Sequence, residues 1–151
     1  MYALSTATHT EWTWPSAHQN GTTLPAPWNC SDTAPGTNCS VEPLMTVGYN
    51  IDNIDLTGTN YYTGAAQGVD LTFGHIDGAA NSAISDAALQ YSTDDGRTWQ
   101  NATVTNTAPG KYHASYVINT LADGYVSLKV TARDATGGAI TETTTRAYEL
   151  N

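Results

Sequence analysis

Apolar residues recur at every second position through most of this chain, and glycine-bearing turns interrupt them at short intervals. Val126, Leu128, Val130 and Ala132 alternate with Ser127, Lys129, Thr131 and Arg133. The same period runs through Met45, Val47, Tyr49 and Ile51, through Val69, Leu71 and Phe73, and through Tyr112, Ala114, Tyr116 and Ile118, while Leu89 and Tyr91 begin another such segment. A period of two sends successive side chains to opposite faces of an extended strand, so each segment has one face to bury. Asp77-Gly78, Asp95-Gly96, Pro109-Gly110, Asp123-Gly124 and Gly137-Gly138 supply turns at spacings near those of a sandwich, and Ile140 to Leu150 reads as a last strand. Ala79 to Ala88 has some helical composition, but Ser and Asn interrupt it and it runs straight into a strand pattern. The expectation is an all-β chain, an antiparallel β-sandwich of seven to nine strands.

With 151 residues there is room for one domain with a real core and too little for two. Residues 44–151 should form the sandwich core. Residues 1–43 differ: they hold three of the four tryptophans and both cysteines, which suggests an irregular arm with one strand near Thr8 to Trp14, laid against the sheets. Only 13% of residues are charged, and the surface is wetted by Thr, Asn and Ser hydroxyls and amides, as on an extracellular protein. The formal net charge of −9 makes nucleic acid and anionic membrane poor partners, because phosphate binding needs clustered cations. No apolar run is long enough for a membrane helix, and none resembling a signal peptide follows Met1, so Met1 is expected to be an artificial start to a piece of something longer. A secreted monomer is the expectation.

Cys30 and Cys39 flank a polar loop with Pro35-Gly36 at its centre. Such a loop cannot anchor itself by burial, and a bridge over about ten residues removes on the order of 2–3 kcal/mol of denatured-state freedom, so a disulfide is expected. Zinc is not, since no second Cys or His pair accompanies the thiols. Four Asn-x-Ser/Thr matches, at Asn20, Asn29, Asn38 and Asn101, carry little weight in a chain this rich in Asn and Thr.

The octet Ser92-Thr93-Asp94-Asp95-Gly96-Arg97-Thr98-Trp99 specifies a tight hairpin, in which Asp94 accepts backbone hydrogen bonds, Gly96 supplies a positive φ and Trp99 covers the turn, with Ser92 and Thr98 completing the pattern. It resembles the Asp-box, a turn repeated in sialidase propellers and found singly in β-sandwiches; one copy here lacks the repetition a propeller requires. Taken with Leu89 to Tyr91, with Tyr125-Val126-Ser127-Leu128-Lys129-Val130-Thr131-Ala132-Arg133-Asp134-Ala135-Thr136-Gly137-Gly138 and with Thr145-Arg146-Ala147-Tyr148, the octet makes the stretch from Leu89 to Leu150 similar to the end of a C-terminal accessory domain in secreted actinobacterial subtilisin-like serine peptidases. That resemblance implies an immunoglobulin- or fibronectin III-like sandwich attached to a catalytic domain outside this chain.

Chemistry-bearing motifs are sparse. There is no Gly-x-Ser-x-Gly, the histidines at 9, 18, 75 and 113 lack metal spacing, and nothing singles out a catalytic pair among Glu11, Glu42, Glu142 and Glu149. The chain by itself is read as non-catalytic. His75 shares parity with Phe73 and should face inward or the rim, satisfied by hydrogen bonds; His113 should face solvent. Asn50, Asp52, Asn53 and Asp55 crowd one loop, which makes Asp52 and Asp55 the candidate calcium ligands, although Asx residues favour turns without any ion and no cofactor is expected. Trp12 and Trp14 share one face of an extended segment, with Trp28 and Tyr61-Tyr62 as further aromatics. The expectation is that these rings fasten the arm to the sheet; the alternative is a stacking platform for a polysaccharide or protein polymer.

Overall fold

The computed structural model describes residues 4–17, 20–22, 24–30, 38–60, 66–119 and 124–150. Among them there is no helix, and ten strands form two sheets: β1 (Ala7–Thr13), β2 (Met45–Ile51), β3 (Thr59–Asn60), β4 (Ala66–His75), β5 (Ile84–Ser92), β6 (Gln100–Asn101), β7 (Thr103–Ala108), β8 (Lys111–Val117), β9 (Tyr125–Asp134) and β10 (Ala139–Leu150). One sheet runs β1-β10-β9-β5-β6, with β3 added to the end of β10; the other runs β2-β4-β8-β7. All pairings are antiparallel except β3 with β10, which is parallel. Two sheets around one core fit a β-sandwich. Strands β3 and β6, at two residues each, take the count past nine, because segments that short have no readable period.

The alternation sets which face is inside. Val126, Leu128, Val130 and Ala132 from β9, Val69, Leu71 and Phe73 from β4, and Tyr112, Ala114 and Tyr116 from β8 are all buried in a single cluster with Leu89, Ile140 and Tyr148. Two hydroxyls inside this core are mutually satisfied: Tyr116 and Tyr148 lie 2.8 Å apart, and Tyr116 stacks on Tyr91 at 4.3 Å. Burial pushes both of these phenols above their ordinary pKa. One departure from the alternation is Ser127, which has polar parity yet is buried, its hydroxyl accepting the Arg146 N–H at 3.0 Å. The register of β10 against β9 shifts between Thr144 and Tyr148, and Arg146 there adopts a φ of 56°. The shift is of two residues, so parity is kept across it, and Ile140, Tyr148 and Leu150 all enter the core from the same face.

Strand β1, from the arm, forms the outer edge of its sheet beside β10. Cys30 and Cys39 form a disulfide with Cα atoms 6.1 Å apart, and Pro25 packs on Gly78 to hold the arm against the β4–β5 connection. His18, Pro35-Gly36, Tyr61-Tyr62 and Asp123 lie outside the described residues.

Candidate functional site

Three groups of polar side chains stand out among the described residues, and the first lies in the turns. In the octet the Ser92 hydroxyl donates to Asp94 Oδ1 (2.7 Å) and accepts the Gly96 N–H (2.9 Å), while Asp94 takes the Thr98 N–H (2.9 Å) and hydroxyl (2.7 Å). Gly96 has φ 85° and lies over Trp99, where a Cβ would come within 3.1 Å of the indole. Lys129 Nζ also lies over that ring, 4.5 Å from its centroid. Asp95 reaches away from the turn to Arg146 through a two-point contact of 2.8 and 2.6 Å, tying the hairpin to the bulge of β10.

The same device recurs in two turns of sequence Asp-x-Thr-Gly. Asp55 Oδ1 accepts the Thr57 N–H, the Thr57 hydroxyl and the Thr59 N–H; Asp134 Oδ1 accepts the Thr136 N–H, the Thr136 hydroxyl and the Gly138 N–H. In each the glycine has a positive φ, 83° at Gly58 and 93° at Gly137. Repetition of Asp-Leu-Thr-Gly and Asp-Ala-Thr-Gly was the signal available for this pair, and composition alone hides it. Asp134 carries one further contact: its other oxygen meets His75 Nε2 at 2.9 Å, both side chains are almost wholly buried, and His75 Nδ1 meets Asn81 at 3.1 Å. His75 is therefore a satisfied rim residue at one end of the sandwich, beside a groove of about 670 Å³ lined by Phe73, Ile76, Asn81, Ser82 and Pro109. His113 is half-exposed and bonded to Asp70 at 2.7 Å.

These contacts favour the ionised carboxylates. Hydrogen bonds from Thr98, in side chain and backbone, and from Ser92 lower the Asp94 pKa to about 2. The Arg146 hydrogen bonds hold Asp95 below its ordinary value against a smaller opposing effect of burial. At Asp134 burial opposes ionisation, but His75, Thr136 and Gly138 together outweigh it and the carboxyl is again lowered. A group that binds its proton more weakly folded than unfolded adds stability above its unfolded pKa, near 4, and loses it as pH falls through the folded value. Urea midpoints should consequently fall between about pH 4 and pH 2, and Asp94→Asn should flatten that slope. A midpoint unchanged across this window would contradict the turn assignment.

The second group joins the arm to β2 and to the segment before it. Thr10, Trp12 and Trp14 share one face of the arm: Thr10 bonds within its own sheet to Glu142 of β10, Trp12 reaches β2 of the other sheet, and Trp14 reaches the segment before β2. The Thr10 hydroxyl donates to Glu142, which also accepts from Tyr49 (both 2.9 Å); the Trp12 indole N–H donates to the Met45 carbonyl (2.9 Å), and that of Trp14 to Glu42 (2.7 Å). Burial, reinforced by Glu142, pushes the Tyr49 hydroxyl far above its ordinary pKa. The two indoles do fasten the arm, but through their N–H groups and not as core rings: Trp12 is 43% and Trp14 38% exposed, and Trp28 is 67% exposed. Sequence parity grouped Trp12 with Trp14; the partners Glu42, Tyr49 and Glu142 carry no motif that could have announced them.

The third is a buried amide pair, Asn60 and Gln67, which bond each other while Gln67 also donates to the carbonyls of Asp52 (2.7 Å) and Gly68 (2.9 Å). Asp52 itself lies over Gly68, and Asp55 Oδ1 accepts hydrogen bonds within its own turn. Among the described residues no three acidic, His or Cys side chains gather where an ion could bind. Neither any protein-family model nor any curated protein sequence matches this chain.

Proposed function

We propose that the chain is a non-catalytic accessory domain of the immunoglobulin or fibronectin III type, carried by a larger secreted enzyme, a subtilisin-like serine peptidase, whose catalytic domain it supports or targets. One observation carries this reading: the segments that resemble such domains, Leu89–Trp99, Tyr125–Gly138 and Thr145–Tyr148, fall on β5, β9 and β10, neighbours in one sheet, together with the hairpin that follows β5 and the hairpin between β9 and β10. The likeness thus covers one contiguous structural unit and includes the Asp-box-like octet. The use of Asp55, Asp94 and Asp134 as turn acceptors, and of His75 as a lock between loops, supports a structural role for residues that could otherwise do chemistry. A disulfide suits an oxidising compartment. Deleting this domain from the full-length parent enzyme should shorten the thermal half-life of the catalytic domain or abolish its retention on an insoluble substrate. Unchanged half-life and unchanged retention would contradict the reading.

A second reading has an observation of its own. Trp12, Trp14 and Trp28 leave much of their rings in solvent, as a polymer-binding module would require for stacking on sugar faces or on a protein fibre.

A further inference from the structure

We propose that Asn20 is a site of spontaneous deamidation, turning over to a mixture of isoaspartate and aspartate within the arm. The reaction needs an asparagine followed by a residue whose backbone nitrogen can reach the side-chain carbonyl carbon, and glycine, lacking a Cβ, obstructs that approach least. Asn20-Gly21 is the one Asn-Gly step in the chain. Asn20 is exposed at a bend, neither its side chain nor the Gly21 N–H has a hydrogen-bond partner among the described residues, and a Cβ on Gly21 would meet nothing within 4 Å. The Gly21 nitrogen attacks Asn20 Cγ, the side-chain nitrogen leaves as ammonia with the amide proton, and a cyclic succinimide forms. Water then opens the ring at either carbonyl, so no oxidant or reductant is involved.

Several other asparagines among the described residues are tied down. Asn81 is bonded to His75, Asn101 lies within β6 and accepts from Gln90, and Asn106 donates to the Ala108 and Lys111 carbonyls. Of the two aspartyl-glycyl steps within the described residues, which can form the same ring, Asp95 is held by Arg146 while the Gly96 N–H is committed to Ser92, and Gly78 is packed beneath Pro25. The isoaspartyl product adds a backbone methylene and a negative charge two residues before Thr22, whose hydroxyl accepts the Cys39 N–H (3.4 Å) and touches the Cys30 sulfur (3.8 Å), so it alters the segment that clasps the disulfide.

The test uses the whole chain, made in a host without N-glycosylation and incubated at mildly alkaline pH. Peptide mapping by mass spectrometry follows each asparagine, and isoaspartyl methyltransferase labelling identifies the isomer. Asn20 should convert several-fold faster than Asn81 or Asn101, with label on the Asn20 peptide, and Gly21→Ala, which has room for its methyl group, should slow that conversion several-fold. Conversion of Asn20 no faster than of Asn81, or an unchanged rate in Gly21→Ala, would overturn the proposal.

Discussion

Leu128→Ala is expected to lower the free energy of unfolding by about 2–5 kcal/mol, the range for emptying a leucine site in a packed interior. Leu128 is 2% exposed at the middle of β9, and its strand has a hydrogen-bonded neighbour on each side, β10 through Thr144 and β5 through Tyr91. With both flanks fixed, the backbone has little freedom to close over the cavity, and the lost contacts are not replaced. Urea unfolding should show a lower midpoint at an unchanged slope. An intact midpoint would mean that β9 is not the centre of the core.

Asp134→Ala should cost at least about 2 kcal/mol, because two buried donors, the Gly138 N–H and His75, lose their acceptor at once, each costing about 1–3 kcal/mol. The Gly138 N–H, the Thr136 N–H and hydroxyl, and His75 all converge on this carboxylate, and the side chain is almost wholly buried. Asp134→Asn retains one oxygen acceptor and should recover part of the loss. If alanine and asparagine variants were equally and only slightly destabilised, the lock between the β9–β10 turn and the end of β4 would carry no weight.

The parts of this fold that could be read in the sequence are those where a local rule and the tertiary environment agree. Val126 to Ala132 alternate because β9 is central in its sheet with one face inside, and Ser92 to Trp99 close a hairpin by contacts no more than four residues apart. Strand β7, Thr103–Ala108, gave no such signal, since it is an edge strand whose side chains are mostly exposed and so need no apolar period. The bulge at Arg146 was equally hidden: a positive φ at arginine is held by Asp95 and Ser127, residues 51 and 19 positions away. Long-range partners also explain the tryptophans. Their shared parity was visible, but the acceptors Met45 and Glu42 come from another sheet and a connecting segment, and those decide that the rings sit at a seam half in solvent.

That seam is where the supporting role and the polymer-binding role diverge most sharply. The decisive measurement is a pull-down of the intact chain on chitin, cellulose, keratin and collagen, run beside Trp12→Ala and Trp14→Ala with the urea midpoint of each. A supporting domain predicts no saturable binding to the polysaccharides, and a loss of about 1–3 kcal/mol in the Trp12 variant as ring burial goes and the Met45 carbonyl loses its donor. Saturable polysaccharide binding that disappears in both variants while their midpoints stay at the parent value would contradict the account and make Trp12 and Trp14 a ligand platform.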